Sequence, residues 1–288
     1  MTIAYLNGNF LPLEEARISP LDRGFLFGDG IYEVIPSYAG KLVGGGQHAA
    51  RMNKGLHEIS IDVPEDDAQW LVIARELVDR NTESFPSRNI GIYLHVSRGT
   101  DTKRFHAYPE NVSPTVFAFA FEIPPSKPAD TDQVEGLKVV LNEDLRWRRC
   151  HIKSTSLLGN VLHFQQSQID GVNETILYND EGYITEASVC NVFAVVDGEI
   201  VTPPLDHQLL PGITRYLVIE SLKEEGIVVI ERPLHKSELS QASEIWLTSS
   251  SKEIAPVIEV DGERVGNGHP GPKWEEALRS YHSHKFHL

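Results

Sequence analysis

One lysine is a candidate nucleophile because of its place between two predicted elements. Lys153 lies where a strand-like stretch, residues 146–152, gives way to a helical pattern. A lysine amine can form an imine with a carbonyl compound, and positive charge from Arg146, Arg148 or Arg149 would favour the neutral, nucleophilic amine. Taken alone, the segment is typical of a solvated basic strand end. Its interpretation therefore depends on the motifs that follow.

A glutamate in an apolar strand pattern is the second candidate. Glu186 stands in Ile184-Thr185-Glu186-Ala187-Ser188-Val189, where burial of an unpaired carboxylate is costly. A protonated ring nitrogen would satisfy the carboxylate through a charge-assisted hydrogen bond. An ordinary edge-strand glutamate is the alternative for any single glutamate.

Residues 209–215 are a candidate anion site. The sequence Leu-Leu-Pro-Gly-Ile-Thr-Arg opens a predicted helix, so the amide N–H groups of Ile213 and Thr214 would face an anion. We expect the Thr214 hydroxyl to add a donor and to cap the helix. Further hydroxyls follow a strand at residues 248–251, and Arg51 could add a bidentate cation.

Arg104 and His106 form a candidate carboxylate-binding pair. They lie two residues apart in the polar stretch 98–106, and on an extended segment alternate side chains point the same way. Both can then donate to one carboxylate. A surface Arg and His in a polar loop are the plainer interpretation.

A pyridoxal-phosphate enzyme needs a lysine that forms an imine, a carboxylate beside the ring nitrogen, a phosphate site and residues that bind the substrate. The candidate residues above would supply all four. Five segments resemble, in order, the signatures of the class IV aminotransferases, whose relatives include enzymes acting on D-amino acids. These segments are residues 22–34, 146–159, 185–193, 210–215 and 247–258, and the resemblance spans about residues 4 to 262.

The resemblance implies a role for each candidate residue. Lys153 would bind pyridoxal 5′-phosphate as an imine and shuttle the proton, Glu186 would pair with the pyridine nitrogen, and Leu210 would pack on the ring. The substrate α-carboxylate would be held by Arg104 and His106, with Tyr32 across the pocket. The implied phosphate ligands are Arg51, Ile213, Thr214 and Ser250.

The elements that position these residues form two predicted domains. The Pro-rich stretch 124–133 is typical of a linker, which leaves a domain at 1–123 and another at 134–288. Strands and helices alternate irregularly, which favours an α+β fold over a doubly wound sheet. The resemblance implies fold type IV, with a small N-terminal α/β domain and a larger C-terminal, cofactor-binding domain that has a mixed, barrel-like sheet. The His-rich tail is expected to be a frayed end and not a metal site.

The charge and composition of the chain argue against several classes of binding partner. A net charge of −15 argues against nonspecific binding to nucleic acid or anionic lipid. No apolar run is long enough to span a membrane, and the N-terminus has no leader-like pattern. The two cysteines fit a reducing cytoplasm and no structural zinc, and we interpret Cys150 as a buried structural residue.

The favoured function is transfer of an amino group between D-amino acids, such as D-alanine or D-glutamate, and 2-oxo acids, such as pyruvate or 2-oxoglutarate, by a ping-pong cycle in a homodimer. Within the family, a branched-chain L-amino acid aminotransferase, an (R)-selective amine transaminase and an aminodeoxychorismate lyase remain open. A cofactor-binding protein without turnover is the non-enzymatic alternative.

Overall fold

The computed structural model describes Met1–Leu288 and divides into two compact units. The first unit comprises Met1–Pro125 together with Ile152–Leu157. The second unit comprises Ser126–His151 and Leu158–Leu288. Each unit has its own sheet, and each is described separately.

The first unit is built on a six-stranded sheet with the strand order β2-β1-β6-β5-β3-β4. Every neighbouring pair in it is antiparallel. The strands are β1 (Ile3–Leu6), β2 (Asn9–Pro12), β3 (Gly30–Tyr38), β4 (Lys41–Leu42), β5 (Asn89–Ser97) and β6 (Thr115–Glu122).

One face of this sheet packs on two helices. The unit contains α1 (Arg23–Phe27), α2 (Gly45–Glu58) and α3 (Asp67–Asn81), and α3 begins with a capping box formed by Asp66 and Gln69. Alternate residues of β5, from Ile90 to Val96, join Trp70 and Leu77 of α3 in one apolar core. The alternation of period two therefore sends the other β5 side chains, Tyr93 and His95, to the opposite face.

The segment Ile152–Leu157 belongs to the first unit although the chain around it belongs to the second. A β-bridge joins Ile31 to Ser154, and the Tyr32 amide donates to the Lys153 carbonyl at 3.0 Å. The Thr155 amide donates to Gly30 at 3.0 Å. The expected domain at 134–288 thus differs from the structure in this segment, because pairing with β3 over a long sequence separation decides its place.

The second unit contains a nine-stranded mixed sheet. Its order is β12-β11-β10-β13-β14-β7-β8-β9, with β15 paired to β14. The pairs β7–β8, β7–β14 and β11–β12 are parallel. The strands are β7 (Leu137–Glu143), β8 (Glu174–Tyr178), β9 (Ile184–Ala187), β10 (Asn191–Val196), β11 (Glu199–Thr202), β12 (Val229–Glu231), β13 (Glu244–Ser249), β14 (Glu253–Val260) and β15 (Glu263–Arg264).

Four helices complete the second unit: α4 (Leu158–Ile169), α5 (Ile213–Glu224), α6 (Lys236–Leu239) and α7 (Pro272–His284). The expectation of a frayed tail is wrong. Helix α7 buries Trp274, Leu278 and Tyr281, and the Glu244 carboxylate accepts hydrogen bonds from the amides of Lys273 and Trp274 at its first turn. No helix of the chain is both long and apolar enough to cross a bilayer.

Candidate functional site

Lys153 is held by its main chain against β3 in the first unit. Its half-buried amine lies 4.2 Å from the centroid of the Tyr32 ring. The Thr155 hydroxyl, two residues on, donates to the Gly28 carbonyl at 2.9 Å. Lys153 and Tyr32, predicted separately from sequence, are therefore brought together.

Arg51 is organised by a buried glutamate that the sequence did not single out. Its Nε and Nη2 donate to the Glu33 carboxylate at 2.6 and 2.8 Å, and His48 Nδ1 lies 2.7 Å from the same carboxylate. Burial alone would raise the pKa of Glu33, but the charges and hydrogen bonds of Arg51 and His48 outweigh it and hold the pKa well below its usual range. Glu33 fixes the direction of the Arg51 guanidinium.

An aromatic surface lies beside Tyr32 on the face of the first sheet opposite α2 and α3. The Tyr93 ring stacks on Tyr32 with centroids 5.6 Å apart and contacts Phe119 at 5.3 Å. The Tyr93 hydroxyl is 3.1 Å from His95 Nδ1. Burial raises the pKa of Tyr93 to about 12 and lowers that of His95, so both are neutral near pH 7. The alternation of β5 could have revealed these two residues.

Arg104 and His106 are both exposed and meet at the same aromatic ring. The Arg104 guanidinium carbon lies 5.2 Å from the Phe27 centroid, and the His106 ring lies 5.4 Å from it. The neighbouring Arg98 is instead buried and donates twice to Asp29, at 2.8 and 3.0 Å. The structure thus brings together Arg104 and His106, the two residues expected to bind a carboxylate. Arg98 instead has a structural role.

In the second unit, Glu186 is 5% exposed and is surrounded by hydrogen-bond donors. Arg146 Nη1 donates to its Oε1 at 2.5 Å, and the Leu210 amide and Asn191 Nδ2 donate to its Oε2 at 3.2 and 3.4 Å. Burial raises the pKa of Glu186, with Arg146 acting against the rise. Glu186 and Leu210, both predicted site residues, are therefore in direct contact.

Two arginines of the basic segment 146–149 form ion pairs in the second unit. Arg146 is held between Glu186 and Asp144, whose Oδ2 lies 2.7 Å from Nη2. Arg148 is 84% exposed and lies 3.9 Å from Asp180. Because two carboxylates balance the Arg146 charge, its role is to orient Glu186.

The candidate anion site opens α5, but with a different cap from the one expected. Gly212 is the N-cap residue and no side chain caps the helix. Thr214 is inside the first turn and is 5% exposed, so the expectation that it caps the helix is wrong. A Cβ on Gly212 would lie 1.9 Å from Asn191 Oδ1, so only glycine fits beside the side chain that also contacts Glu186. The first-turn amides of Ile213 and Thr214 have no intrahelical acceptor.

Hydroxyl groups gather at the end of β13. Thr248 is 2% exposed, and its Oγ1 has no hydrogen-bond partner. It pairs in register with Asn191 of β10, and Ser249 and the predicted ligand Ser250 follow it, both half-buried. An unpaired buried hydroxyl is a polar group that a ligand can satisfy.

Both cysteines are buried, as expected for Cys150. Burial raises the pKa of each thiol to about 12, and the Cys150 thiol donates to the Trp147 carbonyl at 3.0 Å. Since the thiolate is the nucleophile, neither residue is suited to attack a substrate.

Comparison with known proteins shows the family. Residues 30–260 match the model of the amino-transferase class IV family. The chain is 38% identical over 266 residues to a D-alanine aminotransferase of Bacillus licheniformis, which covers 92% of this chain and 91% of that protein. It is 37% identical to a D-alanine aminotransferase of Staphylococcus haemolyticus, covering 94% of each.

Solved structures show the same fold. An Escherichia coli branched-chain amino acid aminotransferase is similar with a TM-score of 0.85 at 24% identity, over 99% of this chain and 94% of that one. The branched-chain aminotransferase of the archaeon Thermoproteus uzoniensis with norvaline is similar with a TM-score of 0.83 at 24% identity, over 99% and 95%. The expected α+β fold type IV is confirmed. The chain therefore belongs to the class IV aminotransferases, which use pyridoxal 5′-phosphate.

Proposed function

We propose that this aminotransferase acts on D-amino acids, with a 2-oxo acid such as pyruvate or 2-oxoglutarate as acceptor, in a ping-pong cycle. The observation that carries the proposal is that Arg104 and His106 both contact the Phe27 ring. Because this contact places two hydrogen-bond donors close together, they can bind one α-carboxylate. Relatives 35–38% identical over most of the chain are D-alanine aminotransferases, which supports the D configuration.

The second unit fits the proposed cofactor. Its phosphate needs donors, and the unit offers the uncapped first turn of α5 and the unpartnered hydroxyl of Thr248. Its protonated ring nitrogen needs a carboxylate, which Glu186 provides in a buried setting. We propose Ile213, Thr214, Ser250 and Arg51 as phosphate ligands, and Leu210 as the residue that packs on the ring.

Bound pyridoxal phosphate supplies an electron sink for the carbanion left when the substrate loses its α-proton. We propose that the Lys153 amine binds the cofactor covalently and, once released, moves that proton. Tyr32, 4.2 Å from the amine, limits where the lysine can reach. Arg146 and Asn191 hold the Glu186 carboxylate in one orientation, so that its charge faces the ring nitrogen without reorganising.

The experiment that tests the function is an amino-acceptor assay with pyruvate or 2-oxoglutarate and matched panels of D- and L-amino acids. We expect D-alanine or D-glutamate to exceed every L-amino acid in kcat/KM. Arg104→Ala should raise KM for these substrates by about 10- to 100-fold, because a hydrogen bond to a charged group contributes about 1.5–3 kcal/mol. Primary amines, which lack a carboxylate, should be affected far less.

Three results would replace this proposal. A preference for L-leucine or L-valine over all D-amino acids would make the chain a branched-chain enzyme, as its structural neighbours are. Faster turnover of (R)-1-phenylethylamine than of any amino acid would make it an amine transaminase. Absence of turnover with a bound cofactor would leave only a binding protein.

We also propose a cytoplasmic homodimer. Two free, buried cysteines fit a reducing compartment. Helix α4 exposes Leu158, Val161 and Leu162, which are 71%, 56% and 62% accessible and share one helical face. An exposed apolar face of this kind is typical of an interaction surface.

A further inference from the structure

A buried arginine of α1 holds the main chain of the loop that carries Arg104 and His106. Arg23 is 3% exposed, and its Nη1 donates to the Phe105 carbonyl at 2.6 Å. Its Nη2 donates to the His106 carbonyl at 3.4 Å. The two carbonyls lie on either side of the His106 side chain in sequence, so Arg23 holds the main chain of the loop at His106.

Phe27, one turn further along α1, organises the side chains of the same loop. Three cationic or ring groups surround its ring: the guanidinium carbons of Arg23 and Arg104 at 4.7 and 5.2 Å, and the His106 ring at 5.4 Å. An exposed arginine without such a contact would sample many rotamers. Contact with the same Phe27 ring restricts the positions that Arg104 and His106 can take.

A shared carboxylate makes α1 a rigid support for this loop. Asp29 accepts from Arg23 Nε at 2.8 Å and from Arg98 at 2.8 and 3.0 Å. Arg98 in turn donates to the Ile59 and Ser60 carbonyls, and its guanidinium carbon lies 3.5 Å from the Tyr108 ring in the same loop. Arg23 therefore holds the loop at Phe105, and Arg98 contacts it at Tyr108. Both arginines pair with the Asp29 carboxylate.

We propose that Phe27 and Arg23 are positioning residues for substrate binding, which set Arg104 and His106 in place before the α-carboxylate arrives. This inference rests on the proposed role of Arg104 and His106. The two residues do not touch the substrate in this proposal. They act by removing the need to order the loop on binding, so their loss weakens binding and leaves the chemical step intact.

The test compares Phe27→Leu with Phe27→Tyr in the cofactor-loaded enzyme. Phe27→Leu removes the ring, so KM for D-alanine should rise about fivefold, the equivalent of one cation–π contact, with kcat unchanged. Phe27→Tyr keeps the ring and should restore the wild-type KM. Arg23→Lys cannot hold Asp29 and Phe105 together and should also raise KM, which provides a second variant should Phe27→Leu fold poorly.

Coupling to Arg104 and His106 separates positioning from a general loss of structure. In a background with both Arg104→Ala and His106→Ala, Phe27→Leu should raise KM no further, because both groups that it positions are already absent. Phe25→Leu is the matched control, since Phe25 lies on the same helix but is 72% exposed. Cofactor absorbance should match wild type in all variants, and thermal stability should match it in Phe27→Tyr and Phe25→Leu.

The possible failures are distinct. If Arg104→Ala leaves KM for D-alanine unchanged, the proposed carboxylate grip is wrong and this inference falls with it. If Arg104→Ala raises KM but Phe27→Leu and Arg23→Lys do not, only the positioning role is wrong. A further rise in KM on adding Phe27→Leu to the variant that carries both Arg104→Ala and His106→Ala, or a fall in kcat without a change in KM, would also overturn it.

Discussion

Two buried glutamates are each paired with an arginine, yet their pKa values shift in opposite directions. Burial favours the neutral acid in both. At Glu33 it is outweighed by two hydrogen bonds from Arg51 and one contact with His48. At Glu186 burial prevails over Arg146, and the nearby Asp144 adds to the rise. Glu33 is therefore electrostatically satisfied by the chain itself, whereas Glu186 gains from one further cation, such as a protonated ring nitrogen.

Glu186→Gln should retain the cofactor but lose most turnover. The neutral amide stabilises a protonated ring nitrogen far less than a carboxylate does, and removing one preorganised electrostatic partner lowers kcat by roughly 100- to 1000-fold. The measurement is kcat for D-alanine together with cofactor content by absorbance. Asp144→Asn, which changes the other carboxylate on Arg146, is the control and should reduce kcat less. Near-normal turnover in Glu186→Gln would show that another group holds the ring proton.

Glu33→Gln should alter how stability depends on pH. The folded-state pKa of Glu33 lies below its ordinary value of 4.5, so the unfolded chain binds the proton more tightly. The contribution of Glu33 is therefore complete above pH 4.5 and is lost as pH falls through the folded-state pKa. The variant should lose about 3 kcal/mol at neutral pH, where a buried pair is broken, and less as the pH falls.

Urea unfolding at pH 7 and at several values below 4.5 provides the measurement for Glu33→Gln. Glu76→Gln is a suitable control, because the Glu76–Arg80 pair on α3 is largely solvent-exposed and contributes little to stability. A constant difference between wild type and Glu33→Gln across this pH range would contradict the assigned electrostatic role.

At the scale of elements, sequence patterns predicted those helices and strands whose formation depends on neighbouring residues. The segment 209–215 was predicted to open a helix, and α5 begins there, at Ile213. Helix α7 escaped prediction because its stability depends on Glu244, about 30 residues earlier, and on burial of Trp274. The placement of Ile152–Leu157 with β3 depends in the same way on distant contacts.

The start of α5 yields a prediction about glycine. Gly212 has an ordinary backbone conformation, with φ −65 and ψ 135, which alanine also adopts. A methyl group there would nevertheless lie 1.9 Å from Asn191 Oδ1 and force that side chain away from Leu210 and Glu186. Gly212→Ala should therefore weaken cofactor binding by at least about tenfold, since a hydrogen bond to a charged group contributes about 1.5–3 kcal/mol.

Equilibrium dialysis of pyridoxal phosphate against the apoenzyme measures this effect. Gly46→Ala is the matched control, because Gly46 lies in the first turn of α2 and a Cβ there meets nothing within 4 Å. Equal affinity in Gly212→Ala and wild type would mean that Asn191 does not help to hold the cofactor.

For the molecule as a whole, the order of motifs along the chain was enough to predict the family and its cofactor. It was not enough to predict how the site residues are supported. The pairs Arg51–Glu33 and Arg146–Glu186 join residues 18 and 40 positions apart, and the Phe27 contacts join α1 to a loop nearly 80 residues later. Residue types predict chemistry, but only tertiary contacts decide which charged neighbour each group acquires.

The charge of the molecule restricts how two copies can associate. With a net charge of −15, copies of this chain repel each other over much of their surface, so an uncharged patch is a favourable place for them to meet. Helix α4 contains no Asp, Glu, Lys or Arg and exposes Leu158, Val161 and Leu162 along one face. Asn160 Nδ2 donates to the Ser188 carbonyl at 2.7 Å, which places the 53% exposed Val189 beside the same helix. This uncharged apolar surface is where we expect the homodimer to form.

Leu162→Glu should convert the proposed dimer to a monomer. Leu162 is 62% exposed, so the substitution leaves the core intact, and glutamate is as good a helix former as leucine. Its charge would face the second copy in an apolar contact, where burial of an unpaired carboxylate is strongly unfavourable. Light scattering after size exclusion should give twice the chain mass of 32.2 kDa for wild type and the chain mass for the variant. Val228→Glu, at a 75% exposed position outside α4, should remain dimeric. A dimeric Leu162→Glu would place the interface elsewhere, and a fully active monomeric wild type would refute the dimer.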